Sequence, residues 1–173
     1  MSQSAAPDVS IRPARPGDEQ EIGRIQVDAW VASLGERLGT RRHHAFDREE
    51  ITKGWAQSIS QPPTPGHQVL VATSDGTIVG FAAMSPPNSI VALEVDPAWR
   101  RRGHGSRLLA AAADHLRNNG GKEMKIWSLE QDTVRTEFLA GAGFGEAGMS
   151  RELEGPGFAI PEKLWHASLT DAS

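Results

Sequence analysis

The chain has 173 residues, 38% of them hydrophobic and 23% charged, which fits one globular domain with a sizeable core. It contains no cysteine, so disulfide scaffolds, thiolate metal sites and cysteine nucleophiles are excluded. The formal net charge of −4 argues against a nucleic-acid partner, and no apolar run reaches the length of a membrane span. We therefore expect a cytoplasmic protein with no nucleic-acid or membrane partner.

The first part of the chain predicts one strand and two helices. Residues 1–8 are polar and are expected to form a flexible N-terminus, after which Val9–Pro13 has the pattern of a strand. A helix is predicted to open at Asp18. Its apolar face consists of Ile22, Ile25, Ala29 and Leu34. A second helix is predicted from Asp47, as its N-cap, to Ser60.

The rest of the chain combines strands and helices. The predicted strands are Val69–Thr73, Ile78–Ala83, Ile90–Val95, Met124–Leu129, Phe144–Leu153 and Glu162–Leu169, and the predicted helices are Gly105–Asn118 and Asp132–Ala140. Ser74–Gly76 has the composition of a hairpin turn between the first two of these strands. This order predicts a mixed α/β sheet with at least one strand–helix–strand crossover, in a single domain over residues 9–170.

A basic turn with two glycines lies between a predicted strand and a predicted helix. Its residues are Arg100, Arg101, Arg102, Gly103, His104, Gly105 and Ser106. Three cations at a helix N-terminus oppose the helix dipole, whereas an anion bound to the free amides of the first turn would stabilise them. The spacing does not fit a P-loop, and Leu108 stands where a dinucleotide fingerprint needs its third glycine. The turn therefore predicts an anion site, with a solvated basic turn as the alternative.

Two motifs in this order resemble the GNAT family of N-acetyltransferases. Arg100-x-x-Gly103-x-Gly105, after the strand end Leu93–Pro97, resembles the acetyl-CoA motif of that family. Trp127–Asp132 and Phe138–Phe144 resemble its second cofactor strand and the helix that follows. The resemblance implies a mixed, mostly antiparallel sheet of about six to seven strands flanked by about four helices. It also implies transfer of an acetyl group from acetyl-CoA to the primary amine of a small molecule or a peptide.

The same resemblance implies the cofactor contacts, position by position. The backbones of Leu93 and Val95 are expected to run beside the pantetheine arm, and the turn from Arg100 to Ser106 is expected to hold the pyrophosphate. Asp132 stands where the family often has an asparagine that contacts the cofactor, and an acid there would not help to bind phosphate. No metal is expected, since the adjacent His43 and His44 have no metal-binding spacing.

The sequence contains fewer of the expected catalytic groups than of the expected cofactor contacts. Glu94 is the first candidate for the base that takes the proton of the amine, although strand alternation could turn it away from Leu93 and Val95 to meet water or an arginine. Glu130 is the second candidate. The family often protonates the leaving thiolate with a tyrosine, but this chain has no tyrosine and places Leu139 at that position.

Three explanations of the missing tyrosine stay open at the level of sequence. The thiolate leaves without an acid or through water, or a hydroxyl of Ser128 or Thr136 replaces the tyrosine, or the protein is a non-catalytic acyl-CoA-binding module of the same fold. A nucleotide-binding domain of Rossmann type is a further, less favoured alternative. The acceptor pocket is expected to draw on residues 31–60 and on a loop over 154–161, with Trp30, Trp55 and Phe158 as possible lining. Dimerisation through the last strands is possible.

Overall fold

A computed structural model describes residues 5–39, 44–155 and 158–170, without the side chains of residues 36, 155 and 158. The strands of the described part are β1 Val9–Pro13, β2 Gln68–Ser74, β3 Thr77–Ser85, β4 Ser89–Val95, β5 Glu123–Leu129, β6 Gly145–Gly155 and β7 Phe158–Ser168. Its α-helices are α1 Glu19–Leu38, α2 Arg48–Ser60, α3 His104–Asn118 and α4 Thr133–Gly141. A 3₁₀ turn, Pro97–Trp99, follows β4. Within these ranges, no helix combines the length and the apolar character that crossing a membrane requires.

The strands form one sheet in the order β1-β2-β3-β4-β5-β7-β6. Neighbouring strands are antiparallel except for β4 and β5, which are parallel and connected through α3. The register between β4 and β5 is limited to Ser89 opposite Lys125, near the start of both strands. The two strands therefore separate toward their carboxyl ends, and the sheet opens between them. The predicted mixed, mostly antiparallel sheet with a strand–helix–strand crossover is confirmed.

Helices cover both faces of the sheet, because both faces carry apolar side chains. On one face, Leu108 and Leu116 of α3 are fully buried in the largest apolar cluster, which also contains Leu139 of α4. On the other face, Ile22 and Ile25 of α1 are fully buried against β2 and β3. The apolar periodicity that predicts α1 and α3 thus corresponds to their buried faces.

Local signals in the sequence predict two further features that the structure confirms. The Asp47 side chain accepts a hydrogen bond from the Glu50 amide at 3.2 Å and so caps α2. Asp75 and Gly76 both have positive φ, of 49° and 80°, as a two-residue hairpin turn between β2 and β3 requires. Of the predicted flexible N-terminus, residues 1–4 lie outside the described residues, and the Asp8 amide donates to the Asp75 carboxylate at 2.8 Å.

The predicted loop over residues 154–161 is wrong. β6 continues to Gly155 and β7 begins at Phe158, so that most of the expected loop belongs to a long hairpin. Ile160 is fully buried opposite Leu153, and this burial favours strand over loop. Pro161 is tolerated because it comes just before Glu162, the first β7 residue that pairs with β5.

Candidate functional site

Two cavities lie next to each other where β4 and β5 separate. The first, which we call the split cavity, has a volume of about 440 Å³ and is lined by β4, β5, α1 and the β6–β7 hairpin. The second, which we call the turn cavity, has a volume of about 480 Å³ and is lined by the end of β4, the basic turn and α4. Volumes of this size suit small-molecule ligands.

The basic turn presents free backbone amides to the turn cavity. Gly103 is the N-cap residue of α3, with a left-handed φ of 82°, and no side chain caps the helix. Arg101 also has a positive φ, of 65°. The amides of His104, Gly105 and Ser106 therefore begin a helix without side-chain partners, and their dipoles favour an anion at this position.

Two side chains of the turn, those of Arg102 and His104, contact the residues that flank it. The Arg102 guanidinium lies 4.8 Å from the centroid of the Trp99 ring. Arg107 lies close to His104, with its Nη2 2.8 Å from His104 Nδ1, and it also donates to the Arg102 carbonyl at 3.1 Å. Burial lowers the pKa of His104, and the charges of Arg107 and Arg102 lower it further. The His104 side chain is 3% exposed, and its Nδ1 accepts the hydrogen bond from the Arg107 guanidinium.

Five residues line both cavities, and we call this group the junction. They are Ser33 of α1, Leu93 and Glu94 of β4, Asp132 just before α4, and Arg135 of α4. Arg135 Nη2 donates to Glu94 Oε1 at 2.8 Å, which ties α4 to β4 across the opening of the sheet. Ser33 Oγ donates to Asp132 Oδ2 at 3.1 Å and ties α1 to the same point. The junction therefore joins three elements where the two cavities meet.

The carboxylate of Glu94 is mostly buried in this junction, with 16% of its side chain exposed. Burial raises the pKa of Glu94, the charge of Arg135 opposes that effect, and nearby Asp132 adds to it. The sequence left two expectations for Glu94, a base beside the cofactor or a side chain turned away toward an arginine, and each describes part of this arrangement. Glu94 meets an arginine, as strand alternation predicts, and it also lines both cavities, as a base would need to.

Asp132 has a local structural role that the resemblance to the family motif does not predict. It is the N-cap of α4, and its Oδ1 accepts a hydrogen bond from the Arg135 amide at 3.0 Å. Its other oxygen accepts from Ser33. The charge of this acid is therefore stabilised by the helix dipole and by hydrogen bonds.

The hydroxyl candidates differ in where the structure places them. Ser128 is 3% exposed and lines the split cavity, and its Oγ has no hydrogen-bond partner among the described residues. Thr136 Oγ donates to the Thr133 carbonyl at 3.2 Å and lines neither cavity. Leu139 is fully buried in the core. Glu130 lies 3.8 Å from Lys163 and lines neither cavity.

The expected acceptor pocket is only partly reproduced. Trp30 lines the split cavity, whereas Trp55 packs edge-on against Phe81 and donates to Gln26 Oε1 at 2.6 Å. The Phe158 side chain and His43 lie outside what the structure describes. Among the described residues, no group of three or more His, Asp or Glu side chains is placed to hold a metal ion.

Sequence reasoning missed a charged cluster on the wall of the split cavity. Arg151 Nε donates to Glu162 Oε1 at 2.8 Å, and the guanidinium lies 4.2 Å from the centroid of the Trp127 ring. All three residues line the split cavity. Only the correct register of the β6–β7 hairpin, with Arg151 opposite Glu162, could have revealed the cluster.

Comparison with known proteins agrees with this geometry. The model of the acetyltransferase (GNAT) family matches residues 27–144. A mycothiol acetyltransferase of Sanguibacter keddieii is 27% identical over 87% of this chain and 48% of its own length, so the chain spans about half of that relative. An uncharacterized N-acetyltransferase of Bacillus subtilis, YuaI, is 26% identical over 72% of this chain and 73% of its own.

A solved structure has the same fold. It is YncA from Salmonella typhimurium, a putative acetyltransferase determined with acetyl-CoA, which is 19% identical. The match covers 95% of this chain and 96% of that one, with a TM-score of 0.68.

Proposed function

The chain belongs to the acetyltransferase (GNAT) family, and we propose that it transfers an acetyl group from acetyl-CoA to a primary amine by direct attack. The observation that carries this proposal is the meeting of two cavities at one buried carboxylate, Glu94. Acyl transfer needs a donor site, an acceptor site and a shared point between them. The turn cavity, the split cavity and the junction supply these three parts.

The turn cavity is proposed to hold the pyrophosphate of acetyl-CoA. The uncapped amides from His104 to Ser106 favour an anion, and Arg100 and Arg101, which line the turn cavity, add positive charge. Arg102 is proposed to add further positive charge from its place on the Trp99 ring. The β4 backbone at Leu93 and Val95 leads from this turn to the junction and is proposed to lie beside the pantetheine arm. When bound, acetyl-CoA supplies a thioester carbonyl whose carbon the amine attacks. Asp132 is proposed to border the cofactor while capping α4.

Glu94 is proposed to be the base. An amine attacks only in its neutral form, so the attacking nitrogen must lose a proton, and the Glu94 carboxylate is the group that receives it. Burial raises the pKa of this carboxyl, which makes it a better base than an exposed one. Arg135 holds the carboxylate in place through its hydrogen bond. In the reaction the new bond joins nitrogen and the acetyl carbon, and the bond between that carbon and sulfur breaks.

Ser128 is proposed to donate a hydrogen bond to the departing thiolate. Ser128 lines the split cavity, and its hydroxyl is buried without a hydrogen-bond partner among the described residues. Leaving a buried hydroxyl unpaired costs free energy, which a hydrogen bond to a bound ligand would recover. Thr136 does not qualify, since its hydroxyl is already bonded to the helix backbone. A thiol with a pKa of about 8.5 is a fair leaving group, so a hydrogen bond assists the step without having to protonate the sulfur fully.

Two measurements test the proposed function. Calorimetry with acetyl-CoA, CoA and NAD should show binding of the first two, and tighter binding of NAD would overturn the cofactor assignment. Incubation with acetyl-CoA and a broad panel of amines should release free thiol. Tight CoA binding without thiol release would instead favour a non-catalytic acyl-CoA-binding module, the alternative motivated by Leu139.

Several finer predictions are part of the same proposal. The acceptor amine is proposed to belong to a small molecule or a peptide. The cytoplasmic location and the absence of a nucleic-acid partner stay predictions from composition. A homodimer through the β6–β7 hairpin also stays a prediction, which sedimentation or light scattering would check.

A further inference from the structure

Arg151 extends from the edge of the sheet and lines the split cavity. It belongs to β6, the outermost strand, yet its guanidinium lies on the Trp127 ring of β5, two strands further in. Since neighbouring strands are roughly 4.8 Å apart, β6 and β5 are separated by roughly 10 Å, and the Arg151 and Trp127 side chains together bridge this distance across β7. A cation is therefore placed beside the opening between β4 and β5.

The position of this cation is fixed on two sides. The Trp127 ring lies against its flat face, and Glu162, a residue that is only 7% exposed, accepts a hydrogen bond from Nε at 2.8 Å. The two terminal nitrogens have no hydrogen-bond partner within the described ranges, and half of the side chain is exposed. The guanidinium is thus held in one orientation while its terminal N–H groups stay free for a ligand.

Another part of the same cavity, the junction, carries acidic side chains. There Glu94 and Asp132 place two carboxylates at the junction, with Arg135 between them. An amine is attracted to the junction, and an anionic group is attracted to Arg151, which lines the split cavity outside the junction. A volume of about 440 Å³ is enough for a small molecule that carries both groups.

We propose that the acceptor is a small amine that also carries an anionic group, a carboxylate or a phosphonate, and that Arg151 binds this group while the amine lies at the junction. The inference rests on the proposed acetyl transfer and names its substrate class. Arg151 acts here as a specificity-determining residue, because its terminal N–H groups match the two oxygens of a carboxylate.

The test uses pairs of acceptors that differ only in charge. A series of ω-amino acids, the corresponding aminoalkylphosphonates and their neutral carboxamides are compared by kcat/KM from thiol release. The wild-type protein should prefer the anionic member of each pair, and the better of the two anionic series identifies the anion. Equal kcat/KM for charged and neutral acceptors would overturn the inference. Complete absence of thiol release would instead count against the proposed acetyl transfer itself.

The variant Arg151→Gln gives the decisive comparison. It should lower kcat/KM for the anionic acceptors by roughly ten- to a hundredfold, as expected for the loss of a hydrogen bond to a charged group, mainly through KM. The neutral amides should change little, and comparing the two proteins on the same amine cancels differences in amine basicity. An equal loss on charged and neutral acceptors would show that Arg151 only supports the hairpin.

Two further variants separate recognition from stability. Arg151→Gln leaves the buried Glu162 carboxylate without its partner, so the double variant with Glu162→Gln removes both charges and should show the same selective loss. Lys163→Gln is the matched control, because it also removes one positive charge from the hairpin. By strand alternation the Lys163 side chain lies on the other face of β7 from Glu162, and it lines neither cavity. A selective loss in the Lys163 control would refute a specific role of Arg151.

Discussion

Ser106→Glu is the most direct test of the turn cavity as an anion site. Ser106 is the third residue of α3, its side chain is exposed, and it lines the turn cavity. A glutamate there adds a negative charge where the pyrophosphate is proposed to bind. The backbone is regular helix, so the substitution introduces no strain. Gly103→Glu is a poorer test, since Gly103 has a φ of 82° and a Cβ atom there would lie 3.1 Å from Arg107.

The expected loss of affinity follows from Coulomb's law. Two unit charges about 4 Å apart repel by about 1 kcal/mol in water and about 4 kcal/mol at an effective dielectric of about 20. The turn is open to solvent on one side, so CoA binding should weaken by roughly ten- to a thousandfold. Stability should stay the same or rise, because an acid in the first turn of a helix is worth about 0.3–1 kcal/mol.

The assay is calorimetry with CoA, together with thermal unfolding of each variant. Ala110→Glu is the matched control: it is exposed on the same helix, carries the same added charge and lines neither cavity. The difference between the two variants should shrink as salt is raised, since salt screens exposed charges. If both variants bind CoA equally well, or lose affinity equally, the anion does not bind at the start of α3.

Three other predictions concern the junction and its neighbours. Glu94→Gln should lower kcat by roughly a hundred- to ten-thousandfold and flatten the limb of the rate profile that rises with pH; an unchanged profile rules Glu94 out as the base. Burial raises the pKa of Glu94, so the folded state is stabilised by the protonated carboxyl. This stabilisation is present below the ordinary carboxyl pKa and is lost as pH rises through the raised pKa of the folded state. At neutral pH the Glu94→Gln variant should therefore unfold at the same temperature as the wild type or at a higher one. Ser128→Ala should lower kcat by roughly tenfold or more while the Kd for CoA stays the same, because the hydroxyl contributes about one hydrogen bond to the leaving group; equal kcat in the two proteins would remove Ser128 from the mechanism. Asp132→Ala should lower the free energy of unfolding by about 1 kcal/mol and Asp132→Asn by much less, since asparagine also caps helices, and urea denaturation would show whether the two differ.

The basic turn and the crossover around it could be predicted because their signals are local. A β-branched strand, a cluster of arginines and glycines, and an amphipathic helix follow one another within residues 89–118. The caps and the Asp75–Gly76 turn are local as well. Each depends on a few adjacent residues, so tertiary packing does not change the outcome.

The junction could not be predicted, because its contacts join distant parts of the chain. Glu94 and Arg135 are 41 residues apart, and Ser33 and Asp132 are 99 apart. Their contacts depend on how far β4 and β5 separate and on where α4 then packs. Arg151 was missed for a different reason. A loop over residues 154–161 would place Leu153 opposite Glu162, and hence Arg151 opposite Leu164, whereas the true register pairs Arg151 with Glu162.

The two departures from the family pattern have unequal consequences in the structure. Asp132 replaces the expected asparagine, and its two oxygens accept hydrogen bonds from the Arg135 amide at the start of α4 and from Ser33, so the acid has a structural role apart from any contact with the cofactor. Leu139 replaces the expected tyrosine, and its side chain is fully buried in the core and lines neither cavity. The unpaired hydroxyl of Ser128 lies instead on β5, on the other side of the opening from Glu94. The cofactor contacts proposed at the basic turn therefore involve neither departure, and the loss of kcat in Ser128→Ala measures how much of the missing tyrosine's role Ser128 performs.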